Sequence, residues 1–229
     1  MQELITKVTS YVEKYMSNYD GSHDFDHIKR VVGLAHHIHS QMTTSPPKSN
    51  IPSPPLDLDV ITLAALLHDI GDRKYIEEGQ DEKTMVRELL LGLGASPELA
   101  ARVQTICLGV SYSSEIKDFD HVVGLIARHP ELAVVQDADR IDAIGAVGIG
   151  RVHTYGGAKT QRGMEQSMEV FDYKLFKLEG LMKTVPGKQL AKERTERLRT
   201  FYQWWREEKE FGELGASVLG HEDREKKEC

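Results

Sequence analysis

Apolar residues recur every three to four positions in stretches near 2–17, 24–42, 57–70, 82–93, 97–110, 122–128, 131–153, 165–184 and 188–209, and no run of four or more residues alternates convincingly. This periodicity predicts helices and no sheet, so the expected fold class is all-α. Some ends carry their own signals. Ser96-Pro97 supplies an N-cap followed by proline at the first helical position, where its missing N–H costs nothing. Gly71 suits a left-handed residue closing the helix that ends at Asp69-Ile70. Residues 43–57, TTSPPKSNIPSPPLD, hold five prolines, which forbids helix continuation and predicts an extended, solvated loop. From about Glu213 charged and small residues dominate, predicting a frayed tail.

Polar residues interrupting apolar faces carry the candidate chemistry. At about 100° per residue, Val31, Leu34, Ile38 and Met42 fall within roughly 60° of His27, which therefore faces the core, while His36, His37 and His39 turn toward the surface. The segment LDVITLAALLHDIG is apolar nearly all round, as a central buried helix is. It ends in His68-Asp69, where an ionised carboxylate meets the unfavourable end of the helix dipole and needs a compensating cation. In VVQDADRIDAIGAVGIGRV, Val135, Ala143, Ala146 and Gly150 share the face of Asp139, whereas Asp137 lies about 160° away. Asp139 is thus the inward carboxylate, with Asp142 on its flank, placed to orient a ligand. Taken singly, His27 also fits a hydrogen-bonded core histidine and Asp139 a carboxylate pairing two helices. Taken together, two imidazoles and two carboxylates from three helices fit one shared divalent ion. GAVGIG has GxxGxG spacing and no preceding strand, so it does not make a phosphate loop.

Composition narrows what such a site would act on. The 229 residues are 40% hydrophobic, enough for a core, and 29 Lys plus Arg against 36 Asp plus Glu give a net charge of −7. That excludes a global basic field for a nucleic-acid polymer or an anionic membrane. An anionic substrate needs local cations instead: Arg30, one turn from His27; Lys74, close after Asp72; and Arg140, Lys159 and Arg162 around the YGG segment, with His23 as a further substrate contact. Asp72, just past Gly71, is placed to orient or deprotonate a water. Two cysteines, Cys107 and Cys229, make no disulfide framework, and MQELITKVTSYVEKY lacks the apolar centre of a signal peptide, so a cytoplasmic location is expected. The aromatic run FYQWW, residues 201–205, is expected to pack a terminal helix onto the core.

His27, His68-Asp69 and Asp139, in that order, resemble the HD-domain metal-dependent phosphohydrolase superfamily. The stretches SHDFDHIKRV, LAALLHDIGDRKY, SYSS and VVQDADRIDAIGAVGIGRVHTYGG are similar to its YpgQ-type (YedJ-type) subgroup over roughly residues 1–208. The resemblance implies a helical HD-domain bundle as one domain over 1–208, with 43–57 as an insertion and 209–229 as a flexible tail. It implies one divalent ion, Mn²⁺ favoured and Mg²⁺, Co²⁺, Fe²⁺, Ni²⁺ or Zn²⁺ as alternatives, held by His27, His68, Asp69 and Asp139. It further implies hydrolysis of a nucleoside triphosphate or related nucleotide phosphate, with pyrophosphohydrolase activity, by a monomer or homodimer. Asp72 departs from several other HD subfamilies, which use Glu at that place. Two other readings remain open: an HD-type diiron oxygenase drawing extra ligands from Asp72, Asp142 and His121, and a non-catalytic nucleotide-binding protein.

Overall fold

The chain enters through α1 (Gln2–Met16) and α2 (Phe25–Thr44), then passes along α3 (Leu58–Leu67), which lies against α1 and α2. These are elements of a computed structural model that describes residues 1–44, 55–71, 76 and 81–220. The proline-rich loop therefore lies outside the described residues between 45 and 54. Every residue of α3 from Val60 to Leu67 is buried, each large aliphatic contributing about 1.5–3 kcal/mol. Asp57 starts this helix by accepting from the amides of Asp59 and Val60 at 3.0 and 3.2 Å. Gly71, at φ 82°, follows its end in the left-handed conformation the sequence predicts.

Helices α4 (Met85–Gly92), α5 (Pro97–Val110), α6 (Tyr112–Lys117) and α7 (Phe119–Arg128) lead to α8 (Glu131–Asp142), which packs on α2, α3 and α5. Ser96 caps α5 as expected, accepting from Leu99 N at 3.2 Å. Gly109 lets α5 approach α8, since a Cβ there would lie 2.7 Å from Leu132 Cδ2.

The expected single helix over 131–153 is two. Ile144 is extended and Gly145 has φ 74°, so α8 stops at Asp142 and α9 (Gly145–Tyr155) leaves in a new direction. Glycine is needed at the break: a side chain at Gly145 would be strained at that φ and meet Arg194 at 3.1 Å, and one at Gly148 would lie 2.2 Å from the Ala143 carbonyl oxygen. The stretch 165–184 likewise divides, into α10 (Met164–Val170), a π turn at Phe171–Leu175, the short α11 (Phe176–Leu178) and a 3₁₀ turn at Glu179–Leu181. Helix α12 (Val185–Val218) runs past Glu213, where fraying was expected, because Arg206–Glu213 is rich in good helix formers that propagate an established helix. Residues 221–229 lie outside the description. Within FYQWW, Phe201 stacks on Phe171 and Trp205 on His153, whereas Trp204 stays 56% exposed. His36 is half-buried, within 2.8 Å of Thr62 Oγ1, and not a surface residue. Among the described residues no strand occurs, and no helix is long and apolar enough to cross a membrane.

Candidate metal centre

Three helices bring His27 (α2), His68 (the residue ending α3) and Asp139 (α8) together, with one donor atom of each within 4.8 Å of the others. Hydrogen bonds on the far side of each imidazole decide which nitrogen faces inward. His27 Nδ1 lies 2.8 Å from Asp142 Oδ2. Burial would raise the Asp142 carboxyl, but hydrogen bonds from His27 and Arg30 hold it at about 2, so it is an ionised acceptor and His27 Nδ1 donates. His68 Nδ1 lies 2.8 Å from the Ala65 carbonyl oxygen, which can only accept. Both rings therefore keep their Nε2 lone pairs for the centre, where the two Nε2 atoms face each other at 3.2 Å.

Asp69 meets this pair with both oxygens, Oδ2 at 3.3 Å from His27 Nε2 and Oδ1 at 3.4 Å from His68 Nε2. Asp139 Oδ1 lies 3.7 Å from each. Neighbouring donors on a divalent ion with bonds of about 2.1 Å sit about 3.0–3.4 Å apart, so the spacing suits such an ion. Asp69 Oδ2 is buried and has no hydrogen-bond partner, the kind of atom a cation would satisfy. Burial would lower the His68 imidazole, yet Asp69 and Asp139 raise it to about 9. Conversely, burial would raise the carboxyls of Asp69 and Asp139, but the imidazoles, His68 foremost, hold both below the usual carboxylate range. Proton and metal ion thus compete for one nitrogen.

The other sequence candidates divide. Arg30 donates to Asp142 through Nε at 2.8 Å and Nη2 at 3.2 Å, beside the cluster. His23 stands at its edge, its ring centroid 6.0 Å from that of His27 and 5.5 Å from that of Tyr155. Lys159 is exposed on the π turn Gly156–Thr160, and Arg162 Nη1 reaches Tyr173 OH at 3.4 Å. Arg140 is not a substrate contact: it is 1% exposed and ion-paired with Glu115 at 2.6 Å, because one residue of helical rotation carries it from the Asp139 face toward α6. Asp72 and Lys74 lie outside the described residues. Arg151, absent from the sequence expectation, donates to Asp142 Oδ2 at 3.1 Å and to the Ser22 carbonyl at 2.7 Å. No local pattern signals a pairing across 129 positions. His121, considered as a ligand of a second metal, is exposed on α7. Asp142, considered likewise, is taken up by His27, Arg30 and Arg151.

Comparison with known proteins places the chain in a family. The HD domain family matches residues 24–144, which include all four clustered residues. The chain is 32% identical over 194 residues to the uncharacterized protein YpgQ of Bacillus subtilis, covering 82% of this chain and 85% of that one. The crystal structure of Bacillus subtilis YpgQ in complex with ADP is similar at TM-score 0.70 and 28% identity, over 90% of this chain and 95% of that one. An HD-superfamily hydrolase from Bacillus thuringiensis is similar at TM-score 0.63 and 29% identity, over 92% and 98%. With its all-α fold and its clustered histidines and aspartates, this chain belongs to the HD domain family, within a group of relatives that includes HD-superfamily hydrolases.

Proposed function

We propose that this chain is a metal-dependent phosphohydrolase that cleaves a nucleotide phosphate, a nucleoside triphosphate foremost, by attack of water. The observation carrying the proposal is the pair of imidazoles whose Nδ1 atoms are committed to Asp142 and Ala65, leaving two Nε2 lone pairs facing two ionised carboxylates. His27, His68, Asp69 and Asp139 would hold one divalent ion, Mn²⁺ favoured. Such an ion lowers the pKa of a bound water and polarises a phosphoryl oxygen. Arg30, half-exposed while anchored on Asp142, and the exposed Lys159 supply positive charge for a phosphate, joined by Lys74. Asp72 would orient the water or take its proton. A nucleotide is favoured by the likeness to YpgQ, which has been crystallised with ADP. The single domain over 1–208 and a cytoplasmic location belong to the same proposal.

A panel of nucleotides incubated with Mn²⁺, Mg²⁺, Co²⁺ or Zn²⁺, with products separated by chromatography, tests it. Nucleotide hydrolysis abolished by Asp139→Ala is the expected result. Nucleotide binding without turnover under every metal would overturn it in favour of a non-catalytic protein. Two irons per chain with oxygen consumption would overturn it in favour of the oxygenase.

A further inference from the structure

Past Trp205 the long helix α12 carries apolar residues into solvent. Residues 206–214 are all exposed, and a side chain at Gly212 or Gly215 would meet nothing within 4 Å. Yet Trp204 is 56%, Phe211 76%, Leu214 63% and Val218 79% exposed. Trp204, Phe211 and Val218 recur every seven residues, and Leu214 falls three after Phe211, the spacing of a coiled-coil seam. At about 100° per residue, the other three all lie within about 60° of Phe211. A different side of the helix holds the rest of the chain, through Phe201 on Phe171, Trp205 on His153 and Lys209 on Glu165. The seam therefore faces away from the bundle, with two aromatic and two aliphatic side chains in one row.

We propose that this seam pairs α12 with the α12 of a second copy of the chain, antiparallel, in a weak two-fold dimer. The sequence of the seam is complementary to itself in that direction. A two-fold axis between Gly212 and Glu213 sets Phe211 over Leu214 of the second copy, and symmetry repeats the contact. Glu207, an acidic residue on the same face, then meets Val218, and Glu208 and Glu210 come beside Ser217 and Gly215 instead of beside other carboxylates. Parallel pairing would set Glu207 against Glu207 and bring both bundles to one end of the seam. Antiparallel pairing keeps the bundles at opposite ends of a contact roughly 21 Å long, from Trp204 to Val218. Covering these side chains on both copies buries about 1,000 Å² in all, the lower edge of specific interfaces and the size of a concentration-dependent dimer. None of the clustered metal-site residues lies on α12, so the proposal stands apart from the hydrolase reading.

The test uses the full chain in the presence of reductant. Sedimentation velocity from about 1 to about 200 μM is expected to show a monomer passing into a dimer. Phe211→Lys and Leu214→Glu alter exposed positions, so each variant should fold, as circular dichroism checks. Each should weaken the dimer by at least about 10-fold, because the symmetry repeats every change in the interface. The double variant should regain at least about 10-fold over either single one, since antiparallel pairing sets each introduced positive charge against an introduced negative one across the axis. A chain that stays monomeric over the whole range overturns the proposal. So does a dimer indifferent to both single substitutions, which would place the contact elsewhere on the surface. A double variant no tighter than the single ones, the result of a parallel seam that sets like charges together, overturns the antiparallel pairing.

Discussion

Replacing Asp137 and Asp139 separately by alanine separates two jobs held two residues apart on α8. Asp137 Oδ1 accepts from Lys183 N at 2.9 Å, and Oδ2 from Thr184 N at 2.8 Å and Thr184 Oγ1 at 2.7 Å, fixing the start of α12. Truncation leaves two amides and a hydroxyl without that partner in a buried setting, at about 1–3 kcal/mol for each orphaned donor. Burial already raises the Asp137 carboxyl, so part of this is recovered when the charge goes. The net loss is about 3 kcal/mol, or roughly 6–12 °C in Tm for a chain of this size. Asp139 makes no such cap; its loss removes one donor from the metal cluster, and metal affinity should fall by more than about 100-fold, beyond the usual effect of an outer hydrogen-bond partner. Thermal melts in chelator and in excess Mn²⁺, with metal content by mass spectrometry, read both. Asp137→Ala should melt lower in either buffer yet keep its Mn²⁺-induced rise, about 2.7 kcal/mol at 100 times Kd. Asp139→Ala should lose that rise. Equal metal loss in the two folded variants would refute the assignment of the two faces.

Asp142→Asn should lower metal affinity by about 10–100-fold without removing a ligand, since it weakens the bond that fixes His27 Nδ1 as donor; titration calorimetry checks it, and unchanged affinity counts against that role. Glu115→Ala strands the buried Arg140 and the partly buried Lys183 at a cost of about 3–5 kcal/mol, seen in denaturant melts, while turnover per folded molecule should hold because Arg140 is no substrate contact. Asp72→Asn should keep metal and nucleotide affinity but reduce single-turnover rate by about 100-fold or more, and a near-wild-type rate would remove Asp72 from the mechanism.

The sequence made the helical class legible because 3.6-residue periodicity needs only neighbours along the chain. The same local rule located His27 on its apolar face and pointed Asp139, not Asp137, toward the histidines, since those two share the unbroken helix Glu131–Asp142; but Asp139 is not the one inward carboxylate, because the opposite face is covered by the start of α12, which buries Asp137 completely. It failed where the helix did: Ala146 and Gly150 do not continue the face of Asp139, because Gly145 turns the chain. Adjacency misled at Arg140, next to a cluster residue in sequence but bonded to Glu115 in space. Arg151 escaped altogether, because it joins segments remote in sequence.

Counting charges around the centre yields a final prediction. Asp69, Asp139 and Asp142 are held ionised, and Arg30 and Arg151 both bond to Asp142, so the frame carries one net negative charge with neutral imidazoles. With both imidazoles neutral it repels a polyphosphate, as does the chain's overall charge of −7. A divalent ion reverses the local sign to one net positive, whereas a proton on His68, raised to about 9, only neutralises it. Metal loading should therefore create the anion site as well as the reactive one. A slowly hydrolysed triphosphate analogue should bind the loaded protein at least about 10-fold more tightly than protein kept in chelator, and the difference should shrink as salt screens the exposed side of the site. Calorimetry at two ionic strengths measures it. Equal affinity with and without metal would show that the phosphates are held by cations outside this cluster.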